Sequence, residues 1–306
     1  MASLRDIRNR IQSVQNTQQV TRAMKMVAAA KLRRAQERMF ASRPYAYKMR
    51  DVIQHLRQWV DPAQHPLFAD RTEVKGVLMI IATSDRGLAG AFNTNVIKSA
   101  EQAIAEQYAD VHAAGKLKLI CVGRKGHEYF QKRGYTLLGE YRGIMDNLKV
   151  SVAHGIMKTA MEGFLAGEWD HVVGVYNEFK NTISQNRIVE PILPIPAERF
   201  LTPVMEIDAA QVPEVEHKGE MEFIFEPNAD SILEALVPQY LTQQMWRILI
   251  ESSASEQGAR MVAMDNATNN ATELLKELKL NYNRARQAAI TTEIIEIVSG
   301  ANALEG

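Results

Sequence analysis

Between Ser3 and Ser42 the chain has neither glycine nor proline, and after Pro238 the only glycine before Gly300 is Gly258. Stretches so free of breakers and rich in good helix formers have little option but helix. In the first, Leu4, Ile7, Ile11 and Val14 recur at the 3–4 spacing of a helical face. The stripe continues less strictly through Val20, Met24, Val27, Ala28 and Leu32. Pro44 interrupts it briefly, since Met49, Val52, Ile53 and Leu56 resume the pattern, and Pro62 and Pro66 end it. At the other end, Ser231 and Glu234 have the spacing of a capping box, in which the two side chains satisfy each other's backbone amides. A helix is expected to start there and to kink at Pro238. At ~1.5 Å per residue, residues 3–57 would span roughly 80 Å and residues 228–300 roughly 110 Å. A mean globular helix has ~11 residues, so the pattern reads as coiled coil.

The segment between has a different texture. VKGVLMIIATSD, KLKLICVG and DHVVGVYNEF read as buried strands. NTNVIKSAEQAIAEQYA, GRKGHEYFQKRG and NLKVSVAHGIMKTAMEGFLAG read as intervening helices. The alternation is βαβαβ, which implies a small, largely parallel, Rossmann-like sheet. RIVEPILPI and GEMEFIFEP add two extended pieces, and the acidic, proline-containing stretch 203–219 reads as an exposed loop. The expected fold class is α/β: an antiparallel coiled coil of long N- and C-terminal helices (1–60 and 228–306) with an inserted Rossmann-like α/β domain (61–227).

Two helices that leave one globular body must run antiparallel if they pair, and the longer one then overshoots by roughly 20–30 Å. The overshooting turns read IIEIVSGANALEG, with Ile290, Ile294, Ile297, Ala301 and Leu304 on one stripe and Ile295 and Val298 on a second. One partner helix covers a single seam, so the remainder awaits another protein. Charge follows the same division beneath a formal net charge of zero. Residues 1–60 carry 13 Lys and Arg against 3 Asp and Glu, while residues 228–306 carry 6 against 10. The two ends are oppositely charged, as partners would be.

Little in the chain speaks for catalysis. SDRGLAGAFN (84–93) follows a strand and precedes a helix, as a phosphate-cradling loop does, but lacks the GxGxxG and GxxxxGK[ST] spacings. A tight strand-to-helix turn is the competing reading, and VGRKGHEYF (122–130) invites the same one. The seven histidines form no i, i+4 pair and no cluster with cysteine or carboxylates, so no metal is expected. No G-x-S-x-G and no Ser/His/Asp grouping is present either, so the chain offers almost nothing as an enzyme in its own right, and with no specific nucleotide or metal motif neither a cofactor nor a direct small-molecule substrate is expected. Cys121, the single cysteine, lies in an apolar run and has no internal disulfide partner. The longest apolar run, VLMIIA, is far short of the ~20 residues of a membrane span, and MASLRDIRNRI shows no targeting pattern. Arg22, Lys25, Lys31, Arg33, Arg34 and Arg38 could meet phosphates, yet aromatic residues hardly interleave them; a solvated face or an acidic protein neighbour is the plainer reading than nucleic acid. RAMKMVAAAKLRRAQ sets an Ala/Met face among those cations, which suits close helix approach or a surface touching several partners in turn. Arg260, Arg284, Arg286, Gln287, Thr291 and Glu293 flank the apolar stripe of the C-terminal helix as polar groups.

ITTEIIEIVSGANA (290–303) resembles the C-terminal signature I-T-x-E-x-x-E-x-x-x-G-A-x-A of the gamma subunits of F-type ATP synthases. Residues 7–46 resemble that family's N-terminal helix nearly throughout, and SDRGLAGAFN, YNEFKNTISQ and SEQGARMVAMDNAT match its pattern, so the likeness covers essentially the whole chain. The resemblance implies a non-catalytic rotor subunit of the bacterial type. Its coiled coil would stand inside a ring of three alpha and three beta subunits, with its α/β foot on the epsilon subunit and the membrane c-ring. It would lie peripherally at the cytoplasmic face of the inner membrane and carry torque between a proton-driven c-ring and the catalytic beta subunits. Arg286, Gln287, Thr291 and Glu293 match positions that contact beta subunits near the top of the shaft, and Arg260 matches a lower position on the same helix. Ile294, Ile297 and Val298 would lie in the apolar sleeve of the ring. Met24 and Lys25 fall where the N-terminal helix passes the beta lever segment; some members carry an acid at the position of Lys25, which leaves its partner open. Phe223 and Glu226 match foot positions near epsilon and the c-ring, with Phe223 replacing a tyrosine common elsewhere. The cysteine pair of the redox-regulated chloroplast form has no counterpart, so thiol control is not expected, and the 203–219 loop is longer than in plain bacterial members.

Overall fold

The computed structural model describes residues 4–56, 65–69, 71, 73–196, 226 and 228–305. Phe223, the 203–219 loop and most of the GEMEFIFEP segment lie outside them. The chain divides into two compact units, one made of residues 1–29 and 260–306 and the other of residues 30–259.

Both terminal helices form. Helix α1 spans Leu4–Leu56 and continues through Pro44. The C-terminal helix, α6, spans Ala229–Glu305 and continues through Pro238, ten residues in, so that proline does not end it. Its start differs from the capping-box expectation. The side chain of Asn228 accepts the Ser231 amide at 2.8 Å, which makes Asn228 the cap and puts Ser231 inside the first turn.

In the larger unit, β1 (Val77–Ala82), β2 (Leu117–Val122), β3 (Thr136–Leu137), β4 (His171–Phe179) and β5 (Gln185–Leu193) form one sheet of order β3-β2-β1-β4-β5. The first four strands are parallel, and β5 returns antiparallel to β4. The helices between them are α2 (Phe92–Gln107), α3 (Ala109–Ala113), α4 (Arg124–Gln131) and α5 (Val150–Leu165). The alternation along β1 sorts the core into two layers. Leu78, Ile80 and Ala82 face Ala153, Ile156 and Phe164 of α5, Leu241, Met245 and Ile248 of α6, and Met49 and Ile53 of α1. Val77, Met79 and Ile81 face Val96, Ala100 and Ile104 of α2 and Phe130 of α4. The central strands are buried on both faces, which is why they read as continuous apolar runs. Cys121 lies within the second layer, where burial raises its thiol pKa to about 12 and leaves it inert.

Candidate functional site

The smaller unit is a two-helix seam whose register is fixed by polar contacts. Gln18 Nε2 donates to Thr272 Oγ1 at 2.6 Å, Thr268 Oγ1 donates to Thr21 Oγ1 at 2.8 Å, and Lys25 Nζ reaches Asp265 Oδ1 at 2.6 Å. Positions climb on α1 as they fall on α6, so the helices are antiparallel. Extending that register sets Leu4 level with roughly residue 286, and about 20 residues of α6, or ~30 Å, then run on without α1 beside them. Burial agrees. Met264, Ala271, Leu275 and Leu278 are buried and Thr268, Tyr282 and Ala285 half-buried, at heptad spacing, and from Arg286 to Asn302 every residue is exposed. On α1 the inward stripe is Leu4, Ile7, Ile11, Val14, Gln18, Thr21, Lys25, Ala28 and Leu32. Val20 and Val27 are off it, at 58% and 57% exposure, and Val52 is likewise exposed beside buried Met49 and Ile53. Near Val20 the seam takes the polar Gln18 and Thr21, so an apolar reading of the stripe strays there onto the outer face.

Met24 is half-buried at the edge of this seam, and Lys25 has its partner in Asp265 of the same chain. Arg260 is buried. Arg286, Gln287, Thr291 and Glu293 lie in the overshooting turns with Ile294, Ile297 and Val298, the last three 55%, 66% and 51% exposed. Thr291 Oγ1 donates back to the Gln287 carbonyl at 2.9 Å, which parks its proton on the helix itself. Glu226 is exposed just ahead of α6. Sequence reasoning passed over Gln18, Thr21 and Thr268, whose only signal was a polar residue at a heptad level, and Thr272, which lies beside the heptad position of Ala271.

The SDRGLAGAFN loop is a structural turn. The buried Asp85 carboxylate accepts from the amides of Arg124 (3.0 Å), Gly143 (2.7 Å) and Met145 (3.0 Å). Arg124 opens α4, while Gly143 and Met145 come from the turn ahead of α5, so the Asp85 carboxylate ties the 84–93 loop to two other turns of the chain. Thr83 Oγ1 donates to the Val122 carbonyl and accepts from the Gly126 amide, locking the second turn against the first. Gly123 sits at φ 93°, with the site of a Cβ only 2.2 Å from the Thr83 carbonyl oxygen. Among the described residues no group of His, Cys, Asp or Glu could hold a metal ion, and no helix is long and apolar enough to cross a membrane.

The class of chain is defined by long N- and C-terminal helices that pair antiparallel, with a mixed five-stranded α/β sheet inserted between them. A family model described as ATP synthase matches residues 3–304. Relatives include the ATP synthase gamma chain of Salinibacter ruber, 58% identical over 100% of this chain and 99% of its own length. That of Chloroherpeton thalassium is 51% identical over 100% and 99%. In fold, the chain is similar to one in the central stalk and c-ring structure of Tetrahymena thermophila mitochondrial ATP synthase (TM-score 0.54, 24% identity, covering 81% of this chain and 99% of that one). It is also similar to one in the rotor of the Euglena gracilis enzyme (TM-score 0.58, 18% identity, covering 94% and 98%). The chain belongs to the ATP synthase gamma-chain family, the non-catalytic central-stalk rotor subunits of F1Fo ATP synthase.

Proposed function

We propose that this chain transmits torque between a proton-driven membrane c-ring and the catalytic beta subunits of an alpha–beta ring, at the cytoplasmic face of a bacterial inner membrane. The observation that carries the reading is the bare end of α6, where apolar turns on two faces run past the last level of α1. An apolar sleeve suits such a surface, because contacts without directional hydrogen bonds can be exchanged as the shaft turns. In this reading Ile294, Ile297 and Val298 bear on the sleeve, and Arg286, Gln287, Thr291 and Glu293 meet beta subunits beside it. Arg260 acts lower on α6, and Met24 and Lys25 face the beta lever segment. Lys25 is shared in this arrangement, since a beta carboxylate must compete with Asp265 for its ammonium group. Phe223 and Glu226 belong to the foot, toward epsilon and the c-ring. Residues 1–60 and 228–306 form the shaft and 61–227 the foot.

The test is ATP hydrolysis by purified alpha and beta subunits with and without this chain, with complex size followed in the same samples. A stable complex and fast multi-site turnover that appear only on its addition are expected. Unchanged assembly and rate would sink the proposal.

A further inference from the structure

Resting on that rotor reading, we propose that Arg247 is a positioning residue that fixes the rotational setting of α6 on the sheet, so that torque passes between sheet domain and helix without slip. Along this stretch α6 meets the sheet through Leu233, Val237, Leu241, Met245, Ile248 and Leu249. Apolar packing of this kind is non-directional, and a helix that rolls about its axis exchanges one set of contacts for another. Gly174 of β4 lets the helix come close: a Cβ there would lie 3.2 Å from Ile248 Cδ1 and 3.1 Å from Ile192 Cδ1.

Arg247 is the directional element in that interface. It is buried, yet each side of its guanidinium is engaged. Nη1 donates to the Tyr176 hydroxyl of β4 at 2.8 Å, Nη2 to the Glu190 carboxylate of β5 at 2.5 Å, and Nε to Gln244 Oε1, one turn back on α6, at 2.9 Å. Tyr176 pairs with Ile188 and Glu190 with Gly174, so the two acceptors are diagonal neighbours on adjacent strands. A planar fork held by two strands and by its own helix has one orientation that satisfies all its bonds. Burial alone would lower the pKa of Arg247, but Glu190, Tyr176 and Glu251 outweigh it and hold the cation charged. A buried ion pair is a poor source of net stability against an apolar isostere, and its better-attested use is to specify one arrangement among several. Rolling α6 away would take the buried Arg247 guanidinium off its acceptors and leave the partly exposed Glu190 carboxylate without its cation, a penalty that apolar contacts alone do not impose.

The experiment uses the complete complex, assembled with its cognate subunits and reconstituted in phospholipid vesicles, with ATP hydrolysis and ATP-driven proton uptake measured on the same preparation. Arg247→Met is expected to keep hydrolysis within about twofold of the parent while protons pumped per ATP fall threefold or more. Arg247→Lys, which keeps the charge without the fork, is expected to recover part of that ratio. Equal pumping per ATP in intact Arg247→Met complexes overturns the inference. Should Arg247→Met fail to assemble, Glu190→Gln and Tyr176→Phe carry the test, since each keeps the side-chain shape. A fall of twofold or more in pumping per ATP in either supports the joint, and an unchanged ratio in both overturns it. A parent chain that gives neither hydrolysis nor pumping overturns the rotor reading, and this inference with it.

Discussion

Trp169 closes over Gly163 so tightly that a Cβ at that glycine would fall 2.0 Å from Trp169 Cζ2. The indole cannot retreat cheaply, because its Nε1 donates to the Ala160 carbonyl at 2.8 Å and its ring is buried. Alanine is the better helix former by ~1 kcal/mol, yet here the clash decides. Gly163→Ala is expected to destabilise the isolated chain by about 1–3 kcal/mol, read as a lower denaturant midpoint at unchanged slope. A second single-residue device lies next to it. The Asp170 carboxylate accepts from Arg71 Nη1 (2.6 Å) and from the amides of Lys75 (2.7 Å) and Gly76 (3.1 Å), clasping the approach to β1 onto the start of β4. Burial pushes its pKa up, but Arg71 and the two amides together bring it below the ordinary carboxylate value. The unfolded chain therefore binds the proton more tightly. The stabilisation is fully present above a pH of about 4 and is lost as pH falls through the lower folded value. Asp170→Asn is expected to cost about 1–3 kcal/mol at neutral pH. Denaturant curves of both proteins from neutral pH down to pH ~2.5 should converge at the acid end; a gap that stays constant would remove the clasp from the account.

At the scale of elements, the seam between α1 and α6 shows how a register is held without a continuous apolar stripe. Thr21 and Thr268 bond each other, and Thr268 also returns a bond to the Met264 carbonyl, a bifurcated arrangement that keeps both hydroxyls occupied. Lys25 and Asp265 lie at the open edge, each more than two-fifths exposed, so their attraction is modest. A double-mutant cycle on Lys25→Glu and Asp265→Lys is expected to give a coupling of about 0.2–1 kcal/mol that shrinks as ionic strength rises, with the swapped pair close to the parent. No coupling at low salt would mean that the helices are registered by the hydroxyl and amide contacts alone. These elements also mark how far the sequence could be read. The two helices were legible because breakers are absent over long stretches, and the three main parallel strands because a strand covered on both faces must be apolar throughout. The stripe strayed onto Val20 because the true seam positions beside it, Gln18 and Thr21, are polar, and it took in Val27 because that residue adjoins the buried Ala28. The capping box pointed to Ser231 while Asn228 does the capping, since several short polar residues near one helix start look alike in a pattern. β3 has only two residues, too few to show a period. Asp85 was invisible as a hub because its partners, Arg124, Gly143 and Met145, come from distant turns that only the folded sheet brings together.

For the whole molecule, the bare end of α6 separates what folding requires from what assembly requires. Side chains from Arg286 to Asn302 are all exposed, so they contribute little to the stability of the chain, and the apolar ones among them carry a cost in solubility. Removing residues 294–306 should leave the thermal midpoint of the isolated chain within about a degree and raise its solubility, because none of the contacts that set the register lies in the deleted turns. Under the proposed rotor role the same deletion should weaken the hold on an alpha–beta ring, since it removes the exposed Ile294, Ile297 and Val298 that are proposed to bear on the ring. Midpoints from calorimetry and dissociation rates of the assembled complex, measured on the same two proteins, test both halves at once. A truncated chain that melts many degrees lower would show that these turns are covered within the free protein. A truncated chain that binds the ring as tightly as the parent would move the bearing surface elsewhere on the shaft, with the exposed Met26, Val20 and Val27 of α1 as the next apolar group to remove.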